Sequence, residues 1–364
     1  MNHALNGLLV LLLMLCLVQS SMIYADALPL DEPAQIVKNP EKYDLMAIGK
    51  TGSGRLLVVG ERGHILTSNK GGSWRQLITP LSVTLTSLDV SNENFFIAVG
   101  HGLSILRSVD KGKSWTKVID GRGLSANFGD LARNANGSKN KRKFSRLQKE
   151  GADKPLLDIL MIDDKRGLAV GAYGVLLRTI DGGLTWQGAF DLLAVGEDNH
   201  LNVIRKVGNK IWIAGERGAL YRSEDNGKTF SKINTNFHST IFTLVGNENT
   251  LLAFGIRGKA IITTDGGRSW HQANLKESNS ITSSRYCEKC NAFFISDESG
   301  LIRSFRIIGG KAIDFKVITR VNFPIIDFEI INNQKIVLVG MAGVQEIKDL
   351  NLYEHSEGGL HANQ

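Results

Sequence analysis

Short apolar runs recur along the chain, and each run is followed by a glycine-containing polar turn and a second apolar run. The phrase reads "LLVVGERGHILTS" (56–68), "FIAVGHGLSILRS" (96–108), "LAVGAYGVLLRT" (168–179), "WIAGERGALYRS" (212–223), "LAFGIRGKAIIT" (252–263), "FFISDESGLIRS" (293–304) and "VLVGMAGVQEI" (337–347). Apolar runs of this length bounded by glycine turns are typical of paired β-strands. The pattern therefore predicts seven repeated units.

In the first five units, an eight-residue box begins at the end of the second apolar run. The boxes read "TSNKGGSW" (67–74), "SVDKGKSW" (108–115), "TIDGGLTW" (179–186), "SEDNGKTF" (223–230) and "TTDGGRSW" (263–270). Their starts are 41, 71, 44 and 40 residues apart, so the long interval contains one period and an insertion, roughly 119–154.

Each unit has room for four strands, which in the second unit are "TSLDV" (86–90), "FFIAVG" (95–100), "SILRS" (104–108) and "SWTKV" (114–118). Four strands repeating at this period indicate a propeller blade, because one such sheet cannot bury both of its faces alone. We expect an all-β, seven-bladed β-propeller of four-stranded antiparallel blades over residues 28–350, with six or eight blades as alternatives. The last unit lacks an outer strand, which "AQIV" (34–37) is expected to supply.

We expect the boxes to be structural turns between the third and fourth strands of a blade. Their acids can accept backbone hydrogen bonds, and their aromatic residues can pack between blades. The acids are Asp110, Asp181, Asp225 and Asp265, with Asn69 in the first box; the tryptophans are Trp74, Trp115, Trp186 and Trp270. The motif resembles the Asp-box of sialidases. No catalytic residue is assigned, and a glycoside hydrolase or sugar-binding lectin remains the alternative, with two acids converging from different blades.

Two basic features are expected on the face opposite the boxes, because strands alternate in direction. Arg62, Arg217 and Arg257 occupy equivalent turns, "GERG", "GERG" and "GIRG". The insertion contains seven basic residues and one acid in "LARNANGSKNKRKFSRLQKE" (131–150), within a chain of formal charge +7. We interpret 131–150 as a mobile basic arm with a short helix near Phe144 to Leu147. Its expected partner-binding residues are Lys139, Lys141, Arg142, Lys143 and Arg146.

The ends of the chain suggest export. Residues 1–27 contain the apolar run "GLLVLLLMLCLV" and a small-residue cleavage site near Ala25 to Ala27, which indicate a signal peptide, with an uncleaved anchor as the alternative. Residues 351–364 form a polar tail. The expected location is the periplasm, in a soluble or peripherally membrane-associated form.

The cysteine pair Cys287 and Cys290, in "CEKC", is expected to form a disulfide across a hairpin turn. A redox site is the alternative, and a zinc site would need a second ligand pair. We expect no metal and no cofactor.

The repeated "AVGxxG" phrase followed by a "T/S-x-D-x-G-x-T/S-W" box resembles the photosystem II stability/assembly factor family. The segment "DKPLLDILMIDDKRGLAVGAYG" (153–174) resembles it most specifically. The resemblance implies a non-catalytic propeller that helps a membrane protein complex to assemble through an arginine-rich face, for which Arg62, Arg217 and Arg257 are the matching residues. The expected partner is a membrane complex with acidic extracytoplasmic loops, with an anionic membrane surface as a further contact and no nucleic acid. The insertion and the cysteine pair depart from a photosynthetic member and favour a non-photosynthetic bacterial one. The family context suggests another inner-membrane complex, such as a transporter, as its client.

Overall fold

The computed structural model of the protein describes residues 29–90, 92–193 and 198–352. The expected signal peptide, and residues 353–364 of the polar tail, lie outside this part of the chain. Among the described residues the strands form seven antiparallel sheets, six with four strands and one with three.

The strands follow one another in chain order within each blade. Blades one to four contain β1 (Leu45–Lys50), β2 (Arg55–Gly60), β3 (Ile65–Asn69), β4 (Arg75–Leu77); β5 (Leu85–Asp89), β6 (Phe96–Gly100), β7 (Ile105–Ser108), β8 (Thr116–Ile119); β9 (Leu156–Met161), β10 (Gly167–Gly171), β11 (Leu176–Thr179), β12 (Gln187–Gly188); and β13 (Leu201–Val207), β14 (Lys210–Gly215), β15 (Leu220–Ser223), β16 (Ser231–Lys232). Blades five to seven contain β17 (Ile241–Gly246), β18 (Leu251–Gly255), β19 (Ala260–Thr263), β20 (His271–Gln272); β21 (Ile281–Cys287), β22 (Ala292–Asp297), β23 (Leu301–Ile308), β24 (Lys311–Arg320); and β25 (Ile325–Asn332), β26 (Lys335–Gly340), β27 (Gly343–Ile347).

The blades form a closed ring. The first strand of each blade contacts the first strand of the next, and β1 contacts β25. The second strands are almost wholly apolar and buried because they are covered on both faces by neighbouring blades. The predicted seven-bladed propeller is confirmed.

The expectation for residues 34–37 was wrong. They form no strand of blade seven, which keeps three strands, and they run beside β4 of blade one instead. The backbone N–H of Ala34 donates to the carbonyl of Thr79 at 3.1 Å. The Gln76 side chain accepts from the Val37 amide and donates to the Gln35 carbonyl. One glutamine side chain thus satisfies backbone groups that a strand partner would otherwise satisfy.

The interpretation of 131–150 as a mobile arm was also wrong. The insertion is a helical hairpin of α1 (Gly121–Asn134) and α2 (Ser138–Glu150), and Asp120 caps the first helix by accepting from the Arg122 and Gly123 amides. The apolar residues at helical spacing, Leu124, Phe128, Phe144 and Leu147, are buried in one cluster with blades two and three. Few apolar residues are therefore enough to dock the hairpin, since they share one face.

Short 3₁₀ turns connect the second and third strands of blades one to five. We call them tip turns; they span Glu61–Gly63, His101–Leu103, Ala172–Gly174, Glu216–Gly218 and Ile256–Gly258. Further 3₁₀ turns span Pro40–Lys42, Gly151–Asp153 and Phe190–Leu192. The box turns connect the third and fourth strands, so the strand directions place box turns and tip turns on opposite faces.

Candidate partner-binding surface

The box of blade three shows how its polar side chains are used. The hydroxyl of Thr179 accepts the Gly183 amide at 2.9 Å and donates to a carboxylate oxygen of Asp181 at 2.8 Å. Asp181 also accepts the amide of Thr185 at 2.9 Å and its hydroxyl at 2.5 Å. Asp110, Asp225 and Asp265 accept the same set of bonds in blades two, four and five. These acids are thus engaged within their own turns.

Hydrogen bonding keeps the box acids ionised. The hydroxyl and then the amide of Thr185 lower the pKa of Asp181 to about 2. The same groups of Ser114 lower the pKa of Asp110 to about 2. The pKa values of Asp225 and Asp265 also lie well below the usual range, for the same reason.

The first box joins blade one to blade seven. Asn69 stands where the other boxes have an acid, and Glu346 of blade seven accepts the Gly72 amide. Lys335 pairs with that glutamate at 2.7 Å. Burial raises the pKa of Glu346, but the hydrogen bonds from Lys335 and the Gly72 amide lower it more. The pKa of this glutamate therefore lies below its usual value. An acid of the neighbouring blade thus binds this turn.

A cation from the preceding blade binds the carbonyl of the fourth residue in all five boxes. Four donors stand at the start of a second strand or directly before it, as in Arg55, which donates to the Lys111 carbonyl at 2.7 Å. The other pairs are Arg107 to Gly182 (2.8 Å), Arg166 to Asn226 (3.5 Å), Lys210 to Gly266 (2.7 Å) and Lys335 to Lys70 (2.8 Å). The boxes therefore link blades one to five to their predecessors through charge-assisted hydrogen bonds.

The box tryptophans pack between blades. Trp115 is 7% exposed in the cluster shared by blades one and two, where it stacks on Phe96 of its own blade with ring centroids 6.4 Å apart. Trp186 is buried in the cluster that also receives the helical hairpin. Trp270 meets Trp212 of blade four edge to face, and Trp74 packs in the cluster shared by blades one and seven. These aromatic contacts bury area between sheets and hold the ring together.

The tip turns of blades one, four and five leave their central side chain exposed. Arg62, Arg217 and Arg257 have φ angles of 51°, 53° and 54°, at the position that Gly102 occupies in blade two with φ 70°. All three arginines are exposed. Arg62 lies 3.9 Å from Glu61, whereas Arg217 and Arg257 form no ion pair with another residue of the described chain. We call the surface carrying these three residues the arginine face.

A cleft of about 440 Å³ lies beside Arg257 on the arginine face. Lys259 and Lys276 also line it, and both are exposed. Its acid, Glu277, is bound by Arg303 at 2.8 Å, and burial raises the pKa of this glutamate. The sequence analysis did not single out either lysine. Lys259 could have been found from its position directly after "GIRG". The cleft therefore has a positive lining that suits a carboxylate.

The basic residues of the hairpin divide into two groups. Lys139, Lys141 and Arg142 are exposed on α2. Lys143 and Arg146 instead lie 3.6 and 3.4 Å from Asp198 and pack over the rings of Phe190 and Tyr173. The charges of Lys143 and Arg146 are thus used within the molecule, whereas Lys141 and Arg142 are exposed and placed to meet a partner.

The cysteine pair lies in the turn between β21 and β22, on the same face as the boxes. Cys287 and Cys290 form a disulfide, and both residues are buried. The Cys290 amide donates to the sulfur of Cys287 at 3.2 Å. The disulfide thus closes a turn between two strands, whereas a thioredoxin-like redox site lies at the N-terminus of a helix.

Two carboxylates near the inner strands are held by ion pairs. Asp158 accepts from the Ser87 hydroxyl and the Ile204 amide and pairs with Arg205. Asp327 accepts from Ser283 and pairs with Arg285. In residues 29–90, 92–193 and 198–352, no group of three or more His, Cys, Asp or Glu side chains is placed to hold a metal ion.

Comparison with known proteins supports a relationship to an assembly factor. The family model described as "Photosynthesis system II assembly factor YCF48" matches residues 137–240, which cover α2 and blades three and four. The photosystem II assembly lipoprotein Ycf48 of Synechococcus sp. (strain CC9902) is 31% identical over 121 residues, 31% of this chain. The chain spans about a third (35%) of that relative's length.

Solved structures share the fold. The structure titled "YCF48 bound to D1 peptide" has a TM-score of 0.61 at 14% identity and covers 91% of this chain and 100% of its own. The GH74 enzyme of Niastella koreensis has a TM-score of 0.61 at 16% identity, covering 84% of this chain and 52% of its own. No helix of the described part of the chain is long and apolar enough to cross a membrane. The chain is thus similar in sequence to the photosystem II assembly factors over residues 137–240, and its seven-bladed propeller is similar in fold to YCF48.

Proposed function

We propose that this protein is a non-catalytic, exported scaffold that assists the assembly of a membrane protein complex by docking through its arginine face. The observation that carries the proposal is the repeated placement of an exposed arginine at the same left-handed position in blades one, four and five. A left-handed position disfavours side chains, and glycine occupies it in blade two. Arginine at three such positions suits a binding role better than a structural one.

The chemistry of the face suits acidic loops. A guanidinium can donate two parallel hydrogen bonds to one carboxylate, and the rigid tip turn holds the base of its side chain in place. The cleft lined by Arg257, Lys259 and Lys276 adds a concave positive site. The peptide complex of the structurally similar YCF48 supports peptide recognition by a propeller of this kind.

The exposed residues Lys139, Lys141 and Arg142 supply longer-range attraction to the same partner, with an anionic membrane surface as a secondary contact. The compartment of action is the periplasm. The client we favour is an inner-membrane complex of a non-photosynthetic bacterium, such as a transporter with large periplasmic domains. The disulfide, which we do not expect of a photosynthetic member, favours a client other than a photosystem.

Affinity capture from detergent-solubilised membranes tests the proposal. The protein is compared with the variant Arg62→Gly/Arg217→Gly/Arg257→Gly, which copies the residue that blade two has at this position. A matched control, Lys228→Gln/Arg268→Gln/Lys289→Gln, removes three exposed cations from the opposite face.

We expect the arginine variant to lose the membrane complex, the control to retain it, and added salt to weaken capture by the unmodified protein. Equal capture by all three proteins would contradict docking through the arginine face.

Glycoside hydrolysis is the competing function. The cleft on the box face contains Glu93, Asp164 and the ring of Phe95. The hydroxyl and amide of Ser53 donate to Glu93 and lower its pKa, whereas a general acid needs a raised pKa. A screen of aryl glycosides and a glycan array separates the two functions, and turnover abolished by Glu93→Gln or Asp164→Asn would favour the enzyme.

A further inference from the structure

One histidine is fully enclosed in blade one. His64 directly follows the tip turn Glu61–Gly63, and it is 0% exposed. Blades two to five have Ser104, Val175, Ala219 and Lys259 at this position, so the repeat itself does not require histidine there. A buried imidazole that occurs in one blade of a repeat therefore needs its own explanation.

The surroundings of the His64 ring give it no hydrogen bond. The ring of Tyr43 meets it edge to face, with ring centroids 5.1 Å apart, and the backbone of Gln35 lies on another side. Neither ring nitrogen of His64 has a hydrogen-bond partner among the described residues. The site therefore fits a neutral imidazole, because a buried charge without a partner is costly.

Gln35 belongs to residues 34–37, which we call the strap. Among the described residues the strap is part of no sheet. It is held by the bond from the Ala34 amide to the Thr79 carbonyl and by the Gln76 side chain, which bonds to the backbone of Gln35 and Val37 at 2.8 and 3.0 Å. The tip turn and the residues before β1 are instead continuous with the sheet of blade one. The strap is thus the wall of the histidine site that opens at the lowest cost.

A further bond couples the strap to the tip turn. The Thr79 hydroxyl donates to the carbonyl of Gly63 at 2.7 Å, and Gly63 stands between Arg62 and His64. Thr79 therefore binds the strap with its carbonyl and the tip turn with its hydroxyl. Separation of the strap would loosen the turn that carries Arg62. This consequence for docking rests on the proposed function, whereas release of the strap does not.

The charges around the ring do not compensate for its burial. Burial lowers the pKa of His64, and the charge of Arg62 acts in the same direction; the charge of Glu61 and the backbone of Gln35 act against them without cancelling them. Burial and Glu61 raise the pKa of Asp44, which precedes β1. Further titratable or charged groups on the neighbouring segments are Tyr43, the half-buried Glu41, and the exposed Glu32, Lys38, Lys42 and Arg75.

We propose that His64 is a pH-sensitive latch for the strap: when its ring takes up a proton, the strap separates from blade one and water reaches the charged imidazole. The folded-state pKa of His64 lies below the value of about 6.5 for an unfolded chain. The closed strap is therefore fully stable above that pH and loses stability as the pH falls below it. Asp44 has the opposite sign, because a raised carboxyl pKa favours the closed state on acidification. The test therefore compares proteins that differ only at position 64.

Amide hydrogen exchange of the strap tests the latch. It is measured by mass spectrometry between pH 7.5 and 5.5, in peptides that contain Ala34 and Val37, and is corrected for the intrinsic effect of pH. The variant His64→Val places at this position the residue that blade three has, Val175. The matched control His238→Gln changes an exposed histidine beside the tip turn of blade four.

We expect the protection of the strap to fall about tenfold between pH 7.5 and 5.5 in the unmodified protein, as for one group that takes up a proton only when the strap is open. The control should show the same fall, and His64→Val should show none. Strand β2 serves as the reference, and its protection should not change in any of the three proteins.

Nuclear magnetic resonance of the unmodified protein gives a second readout that needs no variant. The His64 ring should take up its proton only below about pH 6.5. Protonation at or above that pH, strap protection independent of pH, an equal fall in His64→Val, or an equal fall in β2 would each overturn the proposal. None of these measurements involves a client, so failure of the latch and failure of the proposed docking are distinguished.

Discussion

Box turns and tip turns occur in the same blades and have the same need for left-handed residues, yet they use their side chains in opposite ways. In the box of blade three, Asp181 accepts bonds from Thr179 and Thr185, and Arg107 of the preceding blade binds the turn carbonyl. In the tip turn of blade four, Arg217 is exposed and forms no ion pair with another described residue.

This difference separates residues that build the ring from residues that are available to a partner. The box chemistry recurs in blades one to five, where the same bonds hold the turn and tie it to the preceding blade. The tip residue changes from arginine to glycine to tyrosine without altering the turn, since Gly102 and Tyr173 take the same left-handed conformation. Exposed positions that vary within a constant frame are therefore the candidates for binding.

The largest expected effect extends this comparison to the helical hairpin. Phe144 is 8% exposed, and its ring lies 4.9 Å from that of Phe190. Phe144→Ala should lower the free energy of unfolding by about 3–4 kcal/mol, because it removes a buried aromatic side chain. Arg142→Ala, on the exposed side of α2, should change it by less than about 0.5 kcal/mol. Urea denaturation measures both, and equal effects would mean that the hairpin is not packed on the propeller.

The next effect concerns the box acid itself. Asp181→Ala removes the acceptor of the Thr185 amide and hydroxyl and should cost about 1–2 kcal/mol in the free energy of unfolding. Asp181→Asn should cost less, because its amide oxygen can still accept a bond, and the first box contains Asn69 naturally. Chemical denaturation compares the stabilities of the two variants. If Asp181→Ala were as stable as the unmodified protein, the hydrogen bonds accepted by Asp181 would not stabilise the fold.

The sequence predicted the ring well because both of its signals repeat. The "AVGxxG" phrase and the box recur in register, and each recurrence strengthens the interpretation of the others. Features that occur once were harder to predict. Helix α2 has 13 residues with only Phe144 and Leu147 buried, so its composition resembled that of a solvated arm. Residues 34–37 looked like a strand, yet their partner is the Gln76 side chain, which no periodicity reveals.

The candidate site was predicted only in part, for a similar reason. Arg62, Arg217 and Arg257 were found because they occupy equivalent positions in a repeat. Lys276 was missed because it lies in a link between blades, and its proximity to Arg257 is set by the fold.

A smaller effect is the dependence of stability on pH that the box acids cause. The folded-state pKa values of Asp110 and Asp181 are about 2, below the value of about 3.9 for an unfolded chain. Their contribution to stability is therefore complete above about pH 4 and is lost as the pH falls toward 2. The variant Asp110→Asn/Asp181→Asn should lose less stability across this interval, as followed by thermal melting. If the melting temperatures of the unmodified protein and of this variant fell in parallel between pH 4 and pH 2, the box carboxylates would not stabilise the fold through their ionised form.

The smallest expected effect is at the tip turn. Arg217→Gly should leave the free energy of unfolding within about 0.5 kcal/mol, because relief of the left-handed conformation offsets the greater entropy of the unfolded chain. Urea denaturation provides the measurement. A loss above about 2 kcal/mol would show that this arginine stabilises the fold, contrary to the comparison.

The central claim is that the arginine face holds the client, and the most direct measurement is quantitative capture of membrane complexes by the variants of the two faces. The account predicts that Arg62→Gly/Arg217→Gly/Arg257→Gly loses a complex that the unmodified protein and Lys228→Gln/Arg268→Gln/Lys289→Gln both retain. Retention of the same complex by the arginine variant, in equal amount and with equal resistance to salt, would contradict it.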